Sequence, residues 1–79
     1  MHDAKGDGES LQNRARAHPL RKAILVLLTE HSPLSAGSIC NEIPGGSDFA
    51  TVSYHLRVLS RAELVRADGD LAARVYSLA

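Results

Sequence analysis

Cysteine occurs once, at Cys40. One thiol cannot close a disulfide within the chain, and it cannot furnish a cysteine zinc cluster. The chain therefore suits a reducing, cytoplasmic setting. Tryptophan is absent, and the aromatic residues number only two Tyr and one Phe. The core must be built from Leu, Ile, Val and Ala instead. The longest apolar run is AILVLL at 23–28. It falls far short of the ~20 residues that cross a bilayer, so no membrane partner is expected. No leader peptide is expected either. Surplus charge is missing too: nine basic residues face nine acidic ones. That argues against strong, nonspecific attraction to phosphates.

Catalytic and metal-binding patterns are equally scarce. There is no carboxylate pair, no nucleophile–base set and no glycine-rich phosphate loop. Gly45-Gly46 reads as a turn. Ser53 and His55 are two apart on a helix and cannot face each other, so His55 reads as a packing or flanking residue. The four histidines show no paired ligand spacing. We expect no enzyme, no metal site and no cofactor.

With 79 residues the chain admits one small domain with a modest core. Residues 1–9 are polar and are expected to be disordered, and residues 10–17 could add a helical turn or two. Together, 1–17 form an N-terminal arm, disordered or partly helical. His18-Pro19 opens a helix over about 19–30, because proline is favoured at the first helical position. Leu20, Ala23, Ile24, Leu27 and Leu28 form its core stripe. Leu25 and Val26 lie beyond that stripe, which calls for a second packing partner: another subunit, or residues 10–17 folding back. His31-Ser32-Pro33 breaks the chain. Ser35 then caps a helix over about 36–43, with Leu34 placed to pack on Ile39. Ile39 and Ile43 face the core, and Cys40 lies beside them as a small hydrophobe. Pro44-Gly45-Gly46 breaks the chain again, and Ser47 or Asp48 can cap the next helix.

That next helix, DFATVSYHLRVLS at 48–60, has two unlike faces. Val52, Leu56 and Leu59 form an apolar stripe. Ala50, Ser53, Tyr54 and Arg57 recur on the other side, small, hydroxylic and basic, without a carboxylate. Such a face fits a DNA major groove, where hydroxyls reach base edges or phosphates and Arg can be bidentate to guanine. The charges elsewhere are uneven: Arg14, Arg16, Arg21 and Lys22 cluster, while Asp3, Asp7 and Glu9 lie at the start. After Arg61 the period becomes two. Asp68-Gly69 is a two-residue hairpin signal. It pairs Ala67 with Asp70, Arg66 with Leu71 and Glu63 with Arg74. The order helix, helix, helix, hairpin defines a winged helix-turn-helix, mainly α with a small β-hairpin, over residues 18–79.

HPLRKAILVLL, PLSAGSICNEI, TVSYHLRVL, ELVRADG and RVYSLA together resemble the bacterial arsenical-resistance-repressor type of winged helix-turn-helix, the ArsR-like family, across residues 18–79. The resemblance implies that helix 48–60 is a DNA recognition helix. Ala50, Thr51, Ser53 and Tyr54 would then face bases, and Arg57 would contact phosphate or a guanine edge. The hairpin would be the wing. The sequence also departs from the pattern. PGGSDF is about two residues longer than the usual turn, and Phe49 stands where a polar residue is common. Metal-sensing members carry paired cysteines or His/Asp/Glu clusters, which are lacking here. The dimer helix that follows the wing in many members has no counterpart in these 79 residues. The wing tip carries Asp68 and Asp70, which repel phosphates.

The leading expectation is a sequence-specific transcriptional regulator that binds double-stranded DNA as a homodimer, through Leu25 and Val26 of helix 19–30. The competing one is a winged helix that serves as a protein-interaction module without DNA, which the zero net charge and acidic wing tip favour.

Overall fold

The computed structural model describes residues 6–43, 48–70 and 73–79. Among them six elements follow in order: α1 (Gly6–Ala17), α2 (Pro19–Glu30), α3 (Ala36–Glu42), α4 (Phe49–Arg61), β1 (Val65–Asp68) and β2 (Val75–Leu78). The three-helix core and the hairpin of a winged helix-turn-helix are present, with a further helix ahead of them.

Local chemistry sets the helix limits. Pro19 occupies the first turn of α2, and the His18 imidazole accepts a hydrogen bond from the Leu20 N–H. Ser35 caps α3 by accepting from the Ser38 N–H at 3.1 Å. A cap of this kind contributes about 1 kcal/mol. Ile24 and Leu28 of α2, Ile39 of α3 and Val52, Leu56 and Leu59 of α4 meet as fully buried side chains. Ile43, Val65, Ala15 and Ala62 complete the cluster, and Cys40 is half-buried against it. Replacing one of the large residues by Ala would cost roughly 2–5 kcal/mol, a large share of a small domain's stability. That cost fixes which face of α4 points inward.

Helix α1 corrects the expectation of disorder for residues 6–9. The backbone is helical from Gly6, and residues 1–5 lie outside the described residues. Tertiary contacts override weak local propensity here. Ala15 is buried in the core cluster, and the Gln12 side-chain amide donates to the Ala62 carbonyl at 3.1 Å. Residues 10–17 thus fold back on α2 and α4, one of the two partners the surplus apolar surface of α2 called for. Leu25, expected on the outside, is half-buried against the core, whereas Val26 stays 58% exposed.

The hairpin register also needs correction. Ala67 pairs with Tyr76 and not with Asp70; Arg66 pairs with Ser77, and Val65 with Leu78. Leu71, its expected partner, lies outside the described residues. Glu63 does not face Arg74 across a ladder; it sits before the strand with φ 61°. A two-residue type I′ turn needs positive φ at both central residues. Only Gly69 adopts one, at 91°, while Asp68 stays in the strand. The Ala73 N–H closes a further turn onto Asp70, reaching its carbonyl at 3.1 Å and its carboxylate at 3.0 Å. The Ala67 partner moves by an even number of residues, so each side chain keeps its face. The face carrying Val65 and Tyr76 is the inner one. Leu34 and Tyr76 exchange backbone hydrogen bonds of 3.0 and 2.7 Å, which ties β2 to the approach to α3.

Candidate nucleic-acid interface

Helix α4 is held at both ends and along one side. Asp48 caps it, accepting from the Thr51 N–H and from the Thr51 hydroxyl. The hydroxyl bond, helped by backbone N–H groups and opposed by desolvation, holds the Asp48 carboxyl below its ordinary value. The expected cap at Asp48 is therefore the one used; Ser47 and the Pro44-Gly45-Gly46 break lie outside the described residues. At the far end the Glu63 N–H donates to the Ser60 carbonyl and the Leu64 N–H to the Leu59 carbonyl, both at 3.0 Å. That crossed pair is a Schellman motif.

With Val52, Leu56 and Leu59 buried, the opposite face is solvent-exposed. Ala50 and Arg57 are exposed, Tyr54 is 56% exposed, and Ser53 is half-buried at the edge nearer the wing. These four share one surface. Thr51 is set apart: it is half-buried, and its hydroxyl is engaged by Asp48. Phe49, at the start of the helix, is 58% exposed and lines a hollow beside Ser53. The 13 residues of α4 contain no carboxylate.

Between α4 and the hairpin lies a second hollow, of about 280 Å³, bordered by Ser53, Arg57 and Ser60 from α4 and by Arg74 and Tyr76 from the wing. Sequence reasoning missed Arg74 and Tyr76 at this surface. It assigned Arg74 to a cross-strand pair with Glu63, and the true register frees it. The wing-tip acids are occupied locally. Asp68 accepts from Arg66 Nε at 3.2 Å, and Asp70 accepts from the Ala73 N–H.

Beneath the exposed face is a histidine contact that sequence spacing could not show. His55 is buried, and its ring lies 4.4 Å from that of His18 and 5.2 Å, edge-on, from that of Tyr54. Burial, then the nearby charges of His18 and Arg21, pushes the His55 imidazole below its ordinary value. No group of three or more His, Cys, Asp or Glu side chains placed to hold a metal ion occurs among the described residues.

An exposed, carboxylate-free helix face beside a two-stranded wing defines a winged helix-turn-helix domain. Residues 17–67 match the family model described as a helix-turn-helix domain. M. tuberculosis Rv0081 is 32% identical, with a TM-score of 0.83 over 99% of this chain and 76% of its own. A structure described as a possible transcriptional regulator for arsenical resistance is 31% identical, with a TM-score of 0.75 over 86% of this chain and 68% of its own. The homodimeric winged helix-turn-helix DNA-binding domain of Mb0332 from Mycobacterium bovis, a possible ArsR-family transcriptional regulator, is 25% identical. Its TM-score is 0.82, over 99% of this chain and 72% of its own. No curated protein matches the sequence. The chain belongs to the helix-turn-helix family, in its ArsR-like winged form.

Proposed function

We propose that this chain is a sequence-specific DNA-binding transcriptional regulator that lays α4 in the major groove. The observation that carries the reading is the outer face of α4: Ala50, Ser53, Tyr54 and Arg57 on one surface, with the opposite stripe locked in the core. Ala50 allows close approach. Ser53 and Tyr54 reach base edges, and Arg57 flanks them one turn on. Thr51 enters the interface through its methyl group, since its hydroxyl is spent on the cap. The likeness to Mb0332, described as a homodimeric DNA-binding domain, supports a dimer. Two half-sites also supply the specificity that one short helix lacks, because each base pair is worth only about 1–3 kcal/mol. We place the dimer contact on α2, at Val26 with Leu25 behind it, and the working compartment in the cytoplasm. Regulation by DNA binding needs no catalytic group.

The test is selection of bound sequences from random duplexes, followed by binding curves on the selected and a scrambled duplex. The expected result is a two-fold-symmetric site. Tyr54→Ala then lowers discrimination between the two duplexes by about 1–3 kcal/mol, and Arg57→Ala weakens binding to both. Absence of an enriched site, or wild-type binding by both variants, overturns the reading.

A further inference from the structure

Arg57 and Arg74 come from different elements, one from α4 and one from the segment just before β2, yet they border the same hollow. Every other polar side chain around it is a hydroxyl: Ser53, Ser60 and Tyr76. Among the described residues no carboxylate lines it. Among the described residues neither guanidinium has an ion-pair partner, whereas the neighbouring Arg66 is paired with Asp68. Ala67, opposite Tyr76 in the ladder, is small enough to leave the space open. Two free guanidiniums with hydroxyl donors are the chemistry that recognises a phosphate. The hollow lies to the side of the face that carries Ala50 and Tyr54, where the backbone of a duplex passes when the helix is in its groove.

We propose that Arg57 and Arg74 form a seat for one backbone phosphate of duplex DNA, gripped between α4 and the wing. The seat presupposes the DNA-binding reading of α4 and adds a contact from outside the helix-turn-helix. It also changes what the wing does. Its acids, Asp68 and Asp70, are turned to internal bonds, and its cationic contact is Arg74, at the same end of the hairpin, where the chain returns into β2.

Salt-titrated binding to the selected and scrambled duplexes tests the seat, using wild type, Arg74→Ala, Arg74→Lys, Arg66→Ala, Arg57→Ala and the Arg57→Ala/Arg74→Ala double variant. Arg74→Ala should reduce the slope of log affinity against log salt by about one on both duplexes. Arg74→Lys should keep the wild-type slope, and so should Arg66→Ala. If both arginines hold one phosphate, the double variant loses less than the product of the two single losses. A wild-type slope in Arg74→Ala, or a loss confined to the selected duplex, overturns the seat while leaving the DNA reading intact. Fully multiplicative losses overturn the shared phosphate. Failure of wild type to bind either duplex at low salt overturns the seat and the DNA reading together. Arg74 is exposed, so folding is not at stake in its variants.

Discussion

His55 sits where the core of α4 meets its outer face. It is only 6% exposed, and its Nδ1 has no hydrogen-bond partner among the described residues. The same holds for Arg21 Nε beside it. A second positive charge there would be desolvated and repelled, so the neutral ring is favoured in the fold. The sign follows. With a folded value below the 6.5 of a free imidazole, the unfolded chain takes up a proton first as pH falls. Stability is therefore lost progressively below about pH 6.5 and stops falling once the folded ring is itself protonated. His55→Phe keeps an aromatic ring against His18 and Tyr54 and removes the titration. Its melting temperature should fall less than that of wild type between pH 7.5 and 5.5. Equal falls in the two proteins would show that His55 does not govern this range. Tyr54 packs edge-on against the His55 ring, so the side chain we propose for base contact is braced by one that spacing assigned to packing or to the helix flank.

The helices were legible in the sequence because their ends carry explicit signals. Pro19, Ser35 and Asp48 mark three starts, and the stripe Val52, Leu56, Leu59 marks the buried side of α4. What was not legible depended on partners remote in sequence. Helix α1 has little apolar periodicity and is secured by Ala15 and by Gln12 bonding Ala62. The hairpin register is set by the Leu34–Tyr76 bridge and by burial of Val65, which outweigh the local Asp-Gly signal. The wing side of the candidate site, Arg74 and Tyr76, was hidden by that same register. The α4–β1 junction carries a testable cost. Glu63 occupies the left-handed position of the Schellman motif, where glycine is the usual residue. A side chain there costs roughly 1–2 kcal/mol, partly offset by the freedom glycine adds to the unfolded chain. Glu63→Gly should raise stability by about 0.5–1 kcal/mol in urea melts. Destabilisation would mean that the Glu63 side chain makes a contact outweighing the backbone strain.

A chain with zero net charge can still present a locally cationic surface where no acid lines it, and among the described residues the hollow beside α4 has that form. Asp48 is bound in a helix cap, Asp68 to Arg66, and Asp70 to the Ala73 N–H, while Arg57 and Arg74 share one open hollow. The apolar residues are divided in the same way. Helix α1 packs on α2 and α4 through Ala15, Leu25 is half-buried, and Val26 is left on the outside of α2. A β-branched apolar residue left 58% exposed on α2 is suited to burial against a second copy. A dimer would also bring two α4 helices onto one duplex, with half-site centres about 34–36 Å apart, one helical turn. Val26→Glu places a charge at that contact without entering the core, so its monomer should keep the wild-type fold by circular dichroism. In sedimentation the wild type should be dimeric and the variant monomeric at equal concentration. Affinity for the two-half-site duplex should drop at least tenfold in the variant, while binding to a single half-site stays unchanged. A monomeric wild type, or a variant whose dimer persists, would remove Val26 from the contact. Equal loss on single and paired half-sites would mean that the substitution acts on the fold of the reading helix and not on the pairing of two copies.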